Sequence, residues 1–328
     1  MNPETKIDLT GARYYYAVYG LSVASEVALP ELTPIAACSP DVSIEIGHVP
    51  EFLENTKKDY GWISYGNSSC LIKVEDIARY MVSHGRRITV DRRLDRAREP
   101  GVGAALPDLR TFLLGSAFAA ILHQRGSLPL HVSAVQSDTG VWAFSGDSGA
   151  GKSTIAAWLK EKYDWKLVSD DVSVIHASRG KCVLHSGPRK LKLWDDALER
   201  LNYQPHQLVQ DLTKTSKFQV YLEDNAMPMP TVLKAIIVLD RASPNAIATV
   251  ERLSGVEAFN ACRLAIYRPF MAHWFRAPES LLHSITELCS LVDVYRYRRQ
   301  WSLDNMDSEL RPLEKLIREV DDCRISSD

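Results

Sequence analysis

Val141-Trp142-Ala143-Phe144-Ser145 runs directly into Gly146-Asp147-Ser148-Gly149-Ala150-Gly151-Lys152-Ser153, and then into Thr154-Ile155-Ala156-Ala157-Trp158-Leu159. The first five residues, apolar and aromatic, read as a strand. The run from Ser153 to Tyr163 has helical periodicity. The eight residues between fit G-x-x-x-x-G-K-[ST] at every fixed position, in the strand–loop–helix setting that the pattern requires. Glycines permit the dihedrals that aim successive N–H groups at phosphate oxygens. The helix that follows adds the partial positive charge of its N-terminus. Lys152 is placed to reach β- and γ-phosphates, and the Ser153 hydroxyl to ligate Mg²⁺. The expected cradle is therefore Gly146, Asp147, Ser148, Gly149, Ala150, Gly151, Lys152, Ser153 and Thr154. The expected cofactors are ATP, or another nucleoside triphosphate, and Mg²⁺.

Outward from the loop, strands and helices alternate. Leu130–Val135 reads as a strand that turns at Asp138-Thr139-Gly140. Leu167–Ser169 and Val172–Ala177 are strand-like and flank Asp170-Asp171. Val183–His185 and Leu191–Leu193 are further strand candidates, and Asp195–Leu201 a helix. Leu233–Leu239 is an almost continuous apolar run, as in a strand buried on both faces. Ser254-x-x-Glu257 is a capping-box pattern that opens a helix over Val256–Ile266. A helix over Glu279–Leu291, a strand over Val292–Tyr297 and a helix near Glu309–Val320 follow. The N-terminal hundred residues differ. Tyr14–Val23, Val42–Ile46, Trp62–Tyr65, Cys70–Val74, Arg79–Val82 and Arg87–Val90 are short strand candidates, and Gly66-Asn67 and His84-Gly85 supply turns. Glu99-Pro100-Gly101-Val102-Gly103 marks a boundary, after which Pro107–Gln124 reads as a helix. The reading is an α/β chain with a smaller β-rich N-terminal domain over 1–100, a packing or peptide-recognition module, and a P-loop domain over 101–328.

Composition narrows the partners. The 328 residues carry a net charge of −2, with 45% hydrophobic and 24% charged residues, so the chain reads as globular and offers no broad basic field for nucleic acid. Arginines and aromatics interleave over Tyr295–Trp301, which reads as a core edge with surface arginines. The longest apolar stretch, Thr111–Leu122, is too short to span a bilayer. Met1–Leu9 has no signal-peptide pattern. Six cysteines occur with no CxxC pair, which argues against metal knuckles and a disulfide framework. The expectation is a cytoplasmic protein with neither nucleic acid nor membrane as partner; a homo-oligomer is left open.

A phosphate loop needs a carboxylate for its metal. Asp240 tips the apolar run Ile236-Ile237-Val238-Leu239, and Asp170-Asp171 tips Leu167-Val168-Ser169. Two adjacent carboxylates can divide labour, one toward the metal and one as base toward an incoming hydroxyl. The residues alone leave both choices open.

The string Leu130-His131-Val132-Ser133-Ala134-Val135, the loop, and Leu167-Val168-Ser169-Asp170-Asp171-Val172 together resemble the HPr serine kinase/phosphorylase family. Gly187-Pro188-Arg189-Lys190-Leu191-Lys192-Leu193-Trp194 and Lys217 also resemble segments of HPr-kinase-related proteins. The resemblance implies a kinase domain of the HPr kinase/phosphoenolpyruvate carboxykinase type, a P-loop on a mixed sheet, and Mg²⁺-dependent phosphoryl transfer to a serine hydroxyl. By position it gives Lys152 the β/γ-phosphates, Ser153 and Asp171 the metal, Asp170 the role of base or proton relay, and His131 a place beside them. Asp240 becomes a strand-end residue. Arg189 and Lys217 become candidates for holding phosphate or substrate, with Lys214 beside Lys217 in a polar segment. The full HPr kinases carry a glutamate-containing signature where this chain has Leu184-His185-Ser186-Gly187-Pro188, so HPr itself and the reverse reaction are not implied. Tyr16-x-x-Tyr19-Gly20-Leu21 with Ser25-Glu26-Val27-x-Leu29-Pro30 resembles HPr-kinase-like proteins of peptide-modification systems, among them the kinases of lasso-peptide biosynthesis. The expected activity is thus transfer of the γ-phosphoryl group to the C-terminal serine of a precursor peptide. A small-molecule kinase with the same core, and a nucleotide-binding regulatory protein with little turnover, are the alternatives.

Overall fold

The computed structural model describes residues 13–92, 106–201, 208–210, 216–221, 230–243, 246–301 and 304–325. It is a mixed α/β structure with several sheets, as expected. Its contacts divide the chain into two compact units, Met1–Pro129 with Arg268–Leu281, and Leu130–Tyr267 with Leu282–Asp328.

The first unit is built on one mixed sheet. Tyr14–Val18 and Leu21–Ser25 form a hairpin through Tyr19 and Gly20, both at positive φ. Leu21–Ser25 runs parallel to Val42–Ile46, and that strand parallel to Arg87–Asp91. From there an antiparallel meander passes back through Ala78–Ser83, Ser69–Val74 and Ile63–Tyr65 to Lys58–Asp59. Ala78–Ser83 shows the cause most plainly: Ala78, Tyr80 and Val82 are buried while Arg79, Met81 and Ser83 are half-buried, the period-two pattern of a strand with one covered face. The helical segment Leu106–Gln124 packs here, with Leu113–Ala117 wound as a π-helical turn. Sequence periodicity predicted an uninterrupted helix; nearly every residue of Leu113–His123 is buried, so no polar face marks the extra residue in the turn. The Tyr80 hydroxyl donates to the Leu109 carbonyl at 2.9 Å. A short helix from far along the chain, Pro269–Phe275, completes this unit and stacks Trp274 on Tyr65 with ring centroids 4.2 Å apart.

Arg110 Nε donates to Glu31 Oε1 at 2.7 Å, and both side chains are buried. Removing one partner of such a pair strands the other charge away from water. Glu31→Ala is expected to lower unfolding free energy by about 3 kcal/mol. Denaturant titration checks this, and an unchanged midpoint refutes it.

The second unit centres on the eleven-residue strand Thr231–Arg241. Gly140–Ser145 and Asp293–Arg299 both run parallel to it. Gly140–Ser145 is antiparallel to Ser133–Ser137, which in turn pairs with Lys166–Ser169. The hairpin Ser173–Ser178/Lys181–His185 joins the start of the long strand, and Thr249–Leu253 pairs with Asp293–Arg299. The helix Lys152–Tyr163 buries Ile155, Ala156 and Leu159 against Trp142, Phe144, Ile237 and Tyr297. The closing helix Met306–Ile325 adds Met306, Leu310, Leu313 and Ile317, spaced by helical turns, to the same core. A separate three-stranded sheet joins Lys190–Trp194, Lys217–Tyr221 and Leu208–Gln210. The helix predicted over Val256–Ile266 forms as Gly255–Leu264. Ser254 caps it through its backbone carbonyl, which accepts from Glu257 N–H at 3.2 Å, and not through its side chain. No helix of the described residues is long and apolar enough to cross a membrane.

Candidate active site

Gly146–Gly151 links the strand Gly140–Ser145 to the helix Lys152–Tyr163. Gly146, Gly149 and Gly151 take φ of 140°, 91° and 86°. At two of these positions a side chain would also collide. A Cβ on Gly146 would lie 2.8 Å from the Leu239 carbonyl oxygen, and one on Gly151 would lie 2.6 Å from Arg299 Nη2. Arg299 is buried there and pairs with Glu309 at 3.1 Å. Ala150 is buried, while Asp147, Ser148 and Gly149 are exposed. Lys152, largely buried, curls back over the loop: Nζ donates to the Gly146 carbonyl at 2.8 Å and to the Asp147 carbonyl at 3.1 Å.

At the second residue of the helix, Ser153 Oγ donates to Asp170 Oδ1 at 2.8 Å. Asp170 is 2% exposed and accepts two further hydrogen bonds. Its Oδ1 also accepts from Ser133 Oγ. Its Oδ2 accepts the Lys192 backbone N–H at 2.8 Å. Asp171, next in the chain, turns the opposite way at φ 84°, a conformation that a non-glycine residue holds only when its surroundings enforce it. Those surroundings are Lys192 Nζ, 2.9 Å from Oδ2, and His131 Nδ1, 3.1 Å from Oδ1 and 2.8 Å from the Asp171 carbonyl oxygen. Burial pushes the Asp171 pKa up; Lys192 and His131 outweigh it and hold the carboxyl well below the usual carboxylate range. With a proton on Nδ1, His131 can donate to both acceptors.

The strand expected over Leu130–Val135 is broken: Leu128–Leu130 and Ser133–Ser137 are separate, with His131 and Val132 between them. The break has a cause. His131 N–H leaves the sheet to donate to the Ala265 carbonyl at 2.6 Å, and Leu130 bridges Ile266, so the chain bends at His131. His131 thereby faces Asp171, with the Tyr267 ring 5.9 Å away.

The structure thus brings Ser153, Asp170, Asp171 and His131 together beside the loop. Asp240 also ends its strand near the loop, since Val238 lies opposite Ser145, but no bond joins it to Ser153 or the acidic pair among the described residues: its carboxylate is half exposed, accepts from Arg241 N–H at 2.9 Å and lies 3.5 Å from Arg298 Nε. Arg189 is half-buried and precedes the strand Lys190–Trp194. Lys217 opens the strand paired with it, with its Cα opposite Trp194. Lys214 lies outside the described residues. Two residues were quoted in the sequence motifs without being assigned to the acidic pair, Ser133 and Lys192. Ser133 is signalled by its place two residues after His131 in the same string. Lys192 has no local signal beyond lying in a basic run.

Among the described residues, no three His, Cys, Asp or Glu side chains stand close enough to hold a metal by themselves. Mg²⁺ in a triphosphate site needs less: one or two carboxylates with the phosphates and water. The Ser153 hydroxyl and the two aspartates are hard oxygen donors next to a glycine cradle and fit that requirement. In comparisons with known proteins, no family model and no curated protein matches the chain. Among the solved structures that match, the Hpr(Ser) kinase/phosphatase from Coxiella burnetii aligns with 58% of this chain and 98% of its own at 10% identity and a TM-score of 0.27.

Proposed function

We propose that this chain is an ATP- and Mg²⁺-dependent kinase that phosphorylates a serine hydroxyl. The observation that carries the reading is the 2.8 Å bond from Ser153, the residue after the loop lysine, to Asp170, a buried carboxylate from a different strand end. A glycine-rich turn of purely structural origin has no need of an acidic pair at the hydroxyl that follows its lysine. In the proposed reaction the loop N–H groups and Lys152 orient the triphosphate. Ser153 and Asp171 would hold Mg²⁺, which would neutralise β- and γ-phosphate charge. The acceptor Oγ forms a bond to the γ-phosphorus as the bond from that phosphorus to the β–γ bridging oxygen breaks. ADP departs, and the acceptor proton passes to Asp170.

The acceptor we propose is the C-terminal serine of a lasso-peptide precursor, supported by the resemblance in Tyr16–Pro30. The test is incubation of the protein with ATP, Mg²⁺ and a peptide ending in serine, followed by mass spectrometry. One added phosphoryl group on that serine, and none on the peptide ending in alanine, is the expected result. Nucleotide binding with no gain on any serine peptide would reject the peptide acceptor and leave a small-molecule kinase or a regulatory protein.

A further inference from the structure

Lys192 touches both members of the acidic pair through different parts of itself. Its backbone N–H donates to Asp170 Oδ2 at 2.8 Å, and its ammonium donates to Asp171 Oδ2 at 2.9 Å. The two attachments differ in how easily they can be given up. The N–H is fixed because the strand Lys190–Trp194 is paired along its length with Lys217–Tyr221 and is anchored by Leu191 and Leu193, both fully buried. Strand alternation puts Leu191 and Leu193 on one face with Ala157 and Leu198, and Lys192 on the other, toward the aspartates. The ammonium sits at the end of a flexible four-carbon stem, so it can leave its carboxylate without moving the strand. Asp170 joins this arrangement to the loop, since its other oxygen accepts from Ser153.

Two consecutive carboxylates, one bonded to the hydroxyl after the phosphate loop, form a site that attracts any cation. In the structure, the Asp171 carboxylate is paired with the Lys192 ammonium and with His131. A divalent ion and the ammonium would compete for the same Asp171 oxygen. We infer that Lys192 is the resident counter-ion of the acidic pair, a positioning residue whose ammonium keeps divalent cations off Asp171 until metal and nucleotide arrive together. The inference rests on the reading of Gly146–Ser153 as a triphosphate site. It adds a device which that reading does not contain: order of loading, set by the exchange of one cation for another on a carboxylate that the backbone holds still.

The experiment measures Mn²⁺ binding to the full-length protein by electron paramagnetic resonance of the free ion, without nucleotide and then with a non-hydrolysable ATP analogue. Lys192→Met is expected to tighten Mn²⁺ binding to the nucleotide-free protein by about tenfold, since it removes a positive charge in contact with the site. Lys192→Gln, which keeps a polar side chain but no charge, is expected to do the same. Lys192→Arg is expected to retain the weak wild-type binding. An unchanged Mn²⁺ affinity in both neutral variants overturns the inference, as does equally tightened binding in the arginine variant. Analogue binding by the wild-type protein in the same samples tests the underlying reading separately. If the analogue does not bind, the triphosphate site is wrong; if it binds while the neutral variants leave Mn²⁺ unaffected, only the role of Lys192 is wrong.

Discussion

Asp170→Asn is expected to lower phosphoryl transfer by about a thousandfold, the scale of losing a general base, while nucleotide affinity stays within a few-fold of wild type. The hydrogen bonds around the carboxylate explain why this substitution is informative. All three partners of Asp170 are donors: the Ser133 and Ser153 hydroxyls on Oδ1 and the Lys192 N–H on Oδ2. The Lys192 N–H cannot reorient, so an asparagine at this position turns its carbonyl oxygen toward it. Its NH₂ then faces the two serine hydroxyls, which can rotate to accept. The packing survives, and what is lost is the negative charge and the capacity to take a proton. A purely structural Asp170 predicts a different pattern, a lower melting temperature with transfer largely intact, and that pattern would sink the assignment. Asp240→Asn is the comparison. Its carboxylate is half exposed and is engaged by Arg241 N–H and Arg298 and not by Ser153, so transfer is expected to stay near wild type. An active Asp170→Asn beside an inactive Asp240→Asn would move the chemistry to the other strand end.

What the sequence discloses here is what local pattern encodes. The short strand over Arg79–Val82, the continuous apolar run inside Thr231–Arg241 and the loop from Gly146 to Ser153 are all visible from local pattern alone. The hydroxyl–carboxylate bond between Ser153 and Asp170 spans seventeen positions, yet both of its residues sit in motifs that announce themselves. Lys192 does not. It meets the aspartates across more than twenty positions, and nothing in Arg189-Lys190-Leu191-Lys192 tells which cation turns inward until the buried Leu191 and Leu193 fix the face. The bend at His131 is hidden for a related reason. Leu130–Val135 has an ordinary strand composition, and only the Ala265 carbonyl, far along the chain, draws the His131 N–H out of the sheet. The same holds for Pro269–Phe275, whose aromatic residues find their partners near Tyr60–Tyr65. Local rules decide which element forms; distant partners decide where it bends and which side chain it offers.

Lys152→Ala is expected to fail differently from Asp170→Asn, and the contrast is the stronger test. The Lys152 ammonium donates to the Gly146 carbonyl at 2.8 Å and the Asp147 carbonyl at 3.1 Å, so it braces the first turn of the loop as well as supplying charge. A bound triphosphate offers better acceptors than two carbonyls, and the ammonium can swing to them because its stem is flexible. Truncation to alanine removes the brace and the charge together. Transfer should fall by about a thousandfold or more, as when a preorganised cationic contact to the transferring group is deleted. Triphosphate affinity should fall with it, and more than diphosphate affinity, because the missing charge would have faced the β- and γ-phosphates. Lys152→Met preserves most of the stem and lacks the charge, so it should behave like the alanine variant if charge dominates. Lys152→Arg should rescue little, since a planar fork cannot reproduce a point donor shared by Gly146 and Asp147. Calorimetric titration with ATP and ADP, paired with the transfer assay, reads all of this. If Lys152→Ala binds ATP as tightly as wild type and still transfers, the loop is not the phosphate site and the kinase reading falls with it.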